Sequence, residues 1–368
     1  MTAAPEPFSP VGVPLPAWVG REAGWGRWLL LAGLFVAATW LPLLLLCLPD
    51  EAVRRAFWRD LVLHARLWIS GPVLILLQPL VTSRLRPVSR HLVDSGTVPE
   101  LEWQRLARVH QRLARLRDSA AVPLLLAIVA LSISLIEPVY PLPLWRHAAG
   151  PGLWFGWVSG PLVRWLLLLW VWWVCLWGLY VLQVSRLRLH LVMTHPDGRG
   201  GLSPLGDALT SFGWLTFAVG VPVAAQAKLI LGRPSGATLT GYLLPLALVG
   251  ASAALLLYAP LLAFAGPLRR AKRRASLEFA VLAGRQAEAF QRHWFGRGEE
   301  RGVLQAPDFS SVEDLQSVFE RTRASEWIPF RVKPVAVVAA GALWAAVPFL
   351  LADRELAAVL LKILRALG

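Results

Sequence analysis

Long apolar stretches recur along this chain, each about 17 to 25 residues, the length at which an α-helix crosses a bilayer core. They fall at residues 28–48, 61–81, 120–139, 160–184, 209–231, 242–264 and 335–351. The predicted fold class is all-α: a polytopic integral membrane helical bundle with six or seven transmembrane helices and amphipathic helices on the cytoplasmic side. If only six segments cross, 335–351 is the one expected to drop out, because Ala and Gly make it the least hydrophobic.

The polar positions divide the rest. Residues 1–27, with Pro5, Pro7, Pro10, Pro14 and Pro16 and no apolar period, read as a disordered or extended Pro-rich lead. The bundle of six spans covers 28–266 and includes a helix at 98–117. In that helix Trp103, Leu106, Val109, Leu113 and Leu116 share a face, with Arg105, Arg108, Arg112 and Arg115 beside it. Such a stripe lies in the membrane interface or packs on the protein's own cytoplasmic part; both remain open. Residues 267–332 form a cytoplasmic helical region, its second helix N-capped by Ser310 or Ser311. The last span and a C-terminal amphipathic helix, with Leu356, Leu360, Leu364 and Leu367 on one face, occupy 333–368. No fixed-period repeat is evident.

Charge adds the orientation. Arginine collects in alternate loops: Arg84, Arg86 and Arg90 follow the second segment, Arg186, Arg188 and Arg199 the fourth, and Arg269, Arg270, Lys272, Arg273 and Arg274 the sixth. The connections between contain only Arg146 and Arg233, so they face outward and the N-terminus lies in the cytoplasm. The first connection is ambiguous, with Arg54, Arg55 and Arg59 balanced by Asp50, Glu51 and Asp60. Hydrophobic residues make up 56% of the chain and charged ones 16%, which argues for lipid as the solvent. The net charge of +14 is then accounted for by topology and by anionic lipid head groups, not by nucleic acid. Cys47 and Cys175 sit at different depths and are not expected to pair.

Two constellations carry candidate chemistry. The first is the cytoplasmic loop His195-Pro196-Asp197-Gly198-Arg199-Gly200-Gly201-Leu202. It reads either as a chain reversal or as a site, in which Gly200 and Gly201 shape a backbone anion nest, Arg199 binds phosphate, and His195 and Asp197 act as an acid/base pair. The second is an outer charged cluster, His64, Arg66, Glu137, Arg164 and Lys228, at similar depth. Intramembrane charges are costly unless paired or hydrated, so these either snorkel and pair or line a net-positive vestibule. Proline within the spans, as at Pro72, Pro79, Pro123, Pro222, Pro245 and Pro260, kinks helices and frees carbonyls. The tryptophans crowding 165–177 read as gap fillers between helices.

The loop at 195–202, together with the run Asp308-Phe309-Ser310-Ser311-Val312-Glu313-Asp314-Leu315 and the triplet Ile328-Pro329-Phe330, resembles a group of uncharacterised bacterial polytopic membrane proteins. That resemblance implies a cytoplasmic role for both regions, which would pack against each other, and an inner-membrane location; it carries over no activity. No Walker loop, nucleophile elbow, zincin motif or dinucleotide fingerprint occurs, which points away from an enzyme. No cofactor or metal is predicted; the expected partners are anionic lipids and a second copy of the chain. Transport of a small solute, more readily an anion, is the leading reading. A membrane enzyme at the cytoplasmic loop and a non-catalytic scaffold stand beside it.

Overall fold

The structure, a computed structural model, describes residues 5–11, 24–136, 143–231, 239–295 and 307–351. Glu137, residues 232–238 with Arg233, the N-caps at Ser310 and Ser311 as side chains, and the C-terminal leucine face lie outside what is described. All regular structure among the described residues is helical. The elements are α1 (Trp25–Cys47), α2 (Glu51–Trp58), α3 (Leu61–Asp94), α4 (Trp103–Arg117), α5 (Ala121–Ile136), α6 (Ala149–Val184), α7 (Ser203–Leu229), α8 (Gly241–Ala289), α9 (Pro307–Ala324) and α10 (Val332–Leu350).

Six of them, α1, α3, α6, α7, α8 and α10, are long and apolar enough to cross a membrane. α5, described over 16 residues, reaches spanning length together with α4, from which it bends by 42°, and counting this bent pair as one span gives seven. The expected weak member, the last segment, is instead a full helix. Its Ala and Gly content is a packing feature. A Cβ at Gly341 would lie 2.2 Å from both the Gly213 carbonyl and Thr216 Oγ1, and one at Gly250 would lie 2.2 Å from the Ala339 carbonyl. Small residues therefore let α7, α8 and α10 touch backbone to backbone. The Thr216 hydroxyl donates to the Val338 carbonyl at 2.7 Å across the same seam.

Several helices outrun their apolar cores. α3 continues to Asp94, with Leu85, Val88 and Leu92 buried while Arg84, Arg86 and Arg90 stay exposed. α6 begins at Ala149, so much of the connection ahead of the fourth segment is helical. The ambiguous first connection also has a structural purpose for its carboxylates. Asp50 caps α2, accepting from the Ala52 and Val53 amides at 2.7 and 3.1 Å. Asp60 caps α3 through the Leu63 amide at 2.9 Å and takes the Trp145 indole N–H at 3.0 Å on its other oxygen. Both use a short acceptor to satisfy orphan donors at a helix start.

Of the two readings left open for the apolar stripe of α4, packing on the protein holds: Leu106 and Leu113 are fully buried in the main core with Trp177 and Tyr180 of α6. Of the N-terminal lead, residues 5–11 carry no helix and lie against α3, α4 and α6. Phe8 stacks on His110 at 5.5 Å and leans on Tyr180 at 5.3 Å. Its amide donates to Ser89 Oγ at 2.8 Å, while Arg117 donates to the Ser9 carbonyl at 2.8 Å. One buried aromatic contributes about 2 to 3 kcal/mol, an anchor that periodicity does not register. The tryptophans do fill helix–helix gaps: Trp165 and Trp170 donate to the Pro123 and Leu74 carbonyls at 2.8 and 3.0 Å.

The Gly341 contact gives a direct test. Gly341→Leu should lower the thermal midpoint of the detergent-solubilised protein by an amount equivalent to at least about 2 kcal/mol, through overpacking. Gly33→Leu, whose Cβ would meet nothing within 4 Å, should leave it unchanged.

Candidate functional site

Five residues occur twice in nearly the same form: Trp68-Ile69-Ser70-Gly71-Pro72 in α3 and Trp157-Val158-Ser159-Gly160-Pro161 in α6. Each closes a turn of π-helix, Ala65–Ser70 and Phe155–Ser159, within an otherwise α-helical segment. The Gly71 amide reaches back to the Arg66 carbonyl and the Gly160 amide to the Phe155 carbonyl, the five-residue spacing of a π-turn. A proline one residue later cannot supply the next amide, which helps to end each turn. The two tryptophans are exposed, at 51% and 55%, on the outside of the bundle. The two serines point inward and staple neighbours. Ser70 donates to the Ala218 carbonyl and Ser159 to the Thr39 carbonyl, both at 2.7 Å. Ala218 lies four residues before Pro222, so its carbonyl is the one that proline leaves without a helical partner.

Between the two π-turns and α7 lies a cavity of about 270 Å³. Arg66, Leu67 and Ser70 border it from α3, Phe155, Gly160, Val163, Arg164 and Leu167 from α6, and Ala218, Val219, Pro222 and Val223 from α7. Both arginines are half-buried. Arg164 donates to the Ser134 hydroxyl of α5. Gly160 makes room for that pair, since a Cβ there would sit 2.9 Å from the guanidinium and 3.3 Å from Ser134 Oγ. A third guanidinium, Arg146, stacks 4.2 Å over the Phe155 ring from outside. Two cations set in apolar walls bind an anion more strongly than they would in water, because the low dielectric strengthens both charge and hydrogen bond.

The predicted outer cluster is therefore divided. Arg66 and Arg164 share a cavity. His64 turns away into an aromatic group, stacked on Trp58 at 5.7 Å and edge-on to Phe57 at 5.1 Å, with Nδ1 2.7 Å from the Asp60 carbonyl. Lys228 donates to the Phe349 carbonyl at 3.1 Å and joins the end of α10 instead. Glu137 lies outside the described residues. The repeated pentapeptide is the sequence signal for the site; occurring only twice, it sets up no period along the chain.

The loop at 195–202 reverses the chain, and its converging amides are occupied internally. Gly198, Gly200 and Gly201 all have positive φ, at 66°, 63° and 88°, where glycine carries no steric penalty. That backbone aims the amides of Arg199, Gly201 and Ser203 at the Asp197 carboxylate, at 2.8, 3.1 and 3.1 Å, and His195 Nδ1 stands 2.9 Å from it. Burial pulls the Asp197 pKa upward, but the three amides and His195 outweigh it and hold the carboxyl below its ordinary range. Arg199 is buried as well. It donates to Glu326 at 2.6 Å and to the Ile328 carbonyl at 3.1 Å, while the Glu326 amide donates back to Gly198 at 2.9 Å. Phe330 packs on Gly206 and on Tyr258, whose hydroxyl donates to the Gly206 carbonyl at 3.1 Å. The loop and the Ile328-Pro329-Phe330 region thus meet directly, and the loop's polar groups are consumed in that junction.

No group of three or more His, Cys, Asp or Glu side chains suited to a metal ion occurs among the described residues. Both cysteines are free, Cys47 buried and Cys175 exposed. Fold and cavity together define a polytopic all-α integral membrane protein with a cavity between its helices that Arg66 and Arg164 border. Compared with protein-family models, curated proteins and solved structures, the chain matches none.

Asp197→Asn tests the loop. An amide side chain keeps the shape but brings an NH₂ toward three N–H donors, so stability should fall by about 1 to 3 kcal/mol in thermal unfolding. Because the folded pKa is depressed, the carboxylate's contribution is full above the ordinary carboxylate value of about 3.9 and disappears only as pH falls through the lower folded value. The wild-type and Asn variants should therefore differ undiminished from pH 8 down to about 5.

Proposed function

We propose that this protein binds a small anion in the Arg66–Arg164 cavity and moves it across a bacterial inner membrane. The observation that carries the reading is the placing of two guanidinium groups on one apolar cavity between twin π-turns, a geometry common at functional sites in helices. Alternating arginine-rich loops support an orientation with the N-terminus and α9 in the cytoplasm, which sets the cavity toward the outer leaflet. The resemblance of 195–202 and 308–330 to bacterial membrane proteins supports the choice of membrane.

The cavity's chemistry narrows the solute. Leu67, Val163, Leu167, Val219 and Val223 give apolar walls, so an organic monoanion with a short hydrocarbon part fits better than a strongly hydrated inorganic ion. A scaffold is the second reading, favoured by Leu277, Val281 and Leu282, which are exposed on the part of α8 beyond its apolar core. Chemistry at the 195–202 loop is disfavoured, because its carboxylate and guanidinium are already engaged.

Purified protein in liposomes should pass a labelled short-chain carboxylate down its gradient. Arg66→Gln and Arg164→Gln should each cut the rate at least about tenfold, the loss of one charge-assisted contact, and Lys228→Gln should not. Absence of flux for carboxylate and chloride under every imposed gradient would remove transport and leave the scaffold.

A further inference from the structure

A second basic recess lies at the arginine-rich end, unconnected with the first. It is an open groove of about 870 Å³ between the irregular segment that follows α6 and one face of α8. Burial alternates along the segment: Leu187, Leu189 and Leu191 pack on the core while Arg186, Arg188 and His190 are exposed. The His190 amide donates to the Thr97 carbonyl at 2.9 Å and pins the segment in place. Across the groove, Arg270 and Arg274 stand one helical turn apart, with Ala271 and Ala275 leaving space between them and the segment. Arg274 donates to Glu278 at 2.7 Å, the single carboxylate in the lining, set at the far end against four arginines.

The groove's level indicates which anion it suits. Its near lip consists of Ser185, Ala263 and Pro267. Ser185 directly follows the last residue of α6, and Ala263 and Pro267 bracket the end of the apolar part of α8, just before Arg269 and Arg270. Both helices leave the hydrocarbon here, so the lip lies where lipid phosphates lie. Guanidinium groups bordering one groove at that depth are suited to a phosphate that arrives with acyl chains attached.

We propose that this groove is a specific site for an anionic phospholipid head group, its phosphate held between Arg188 and Arg270 and its acyl chains passing the lip of Ala263 and Pro267 into the bilayer. The site does not depend on the transport reading. Binding is measured on the full-length protein in a neutral detergent, as the thermal shift produced by three probes: short-chain phosphatidic acid, short-chain phosphatidylcholine and inorganic phosphate. Phosphatidic acid should raise the midpoint saturably, with phosphatidylcholine and inorganic phosphate at least about tenfold weaker. The double variant Arg188→Gln/Arg270→Gln should weaken phosphatidic acid about tenfold or more. Arg84→Gln/Arg86→Gln, which removes equal charge from exposed positions on α3 outside the groove, should leave its affinity within about twofold. Equal weakening by the two double variants would mean diffuse attraction and overturn the site. Inorganic phosphate binding as tightly as the lipid would overturn the lipid assignment, and so would an absence of any saturable shift.

Discussion

A backbone amide or carbonyl in hydrocarbon has no water to bond, and each one left unsatisfied costs several kcal/mol. That constraint shapes this molecule at every depth. It makes each long segment a helix, and it governs what happens where proline or glycine interrupts one. At Ser70 and Ser159 the interruptions become π-turns, and each serine hydroxyl is spent on a carbonyl of a neighbouring helix. Pro222 frees one of those carbonyls, so a defect in α7 is repaired by a defect in α3. The cavity between them follows from the same irregularity: helices that bulge do not pack flush, and two arginines border the space.

At the arginine-rich end, the constraint is met by a carboxylate. Asp197 gathers three amides of its own loop, which fixes the glycine conformations, and the fixed loop presents Arg199 to Glu326 and Ile328. That clasp sets the connection before α10, and α10 then lies against α7 and α8 through glycine contacts. Residues 5–11 add a second tie, with Phe8 wedged between α4 and α6. Connections far apart in sequence, at 95–98, 190–202 and 325–330, are joined in this way at one end of the bundle.

Hydropathy located the spans well, because length and apolarity are what the bilayer selects. The ranking of 335–351 as the first span to drop out does not hold, because that segment is at least as apolar as α3 and α7 and its Gly and Ala permit close backbone approach. Hydropathy also placed helix ends too early, since the continuation of α3 to Asp94 is amphipathic and no longer uniformly apolar. Depth in the membrane puts Arg66 and Arg164, which border one cavity, at the same level as His64 and Lys228, whose rotation about their helices gives them other partners. The nest at 195–202 was legible from its glycines; that Asp197 would fill it was not, because the geometry appears only when all three positive φ angles are set together. Phe8 carried no periodic signal at all.

The central claim is that the space between the π-turns is a water-accessible basic cavity. Thiol accessibility tests it most directly, with a reactive cysteine introduced at Val219→Cys on the α7 wall in a Cys175→Ser background, Cys47 being buried. The account predicts that a negatively charged methanethiosulfonate reagent modifies this cysteine faster than a positively charged one of similar size, and that the preference disappears when Arg66→Gln and Arg164→Gln are added. A cysteine unreactive toward both reagents, or one that prefers the cationic reagent, would contradict it.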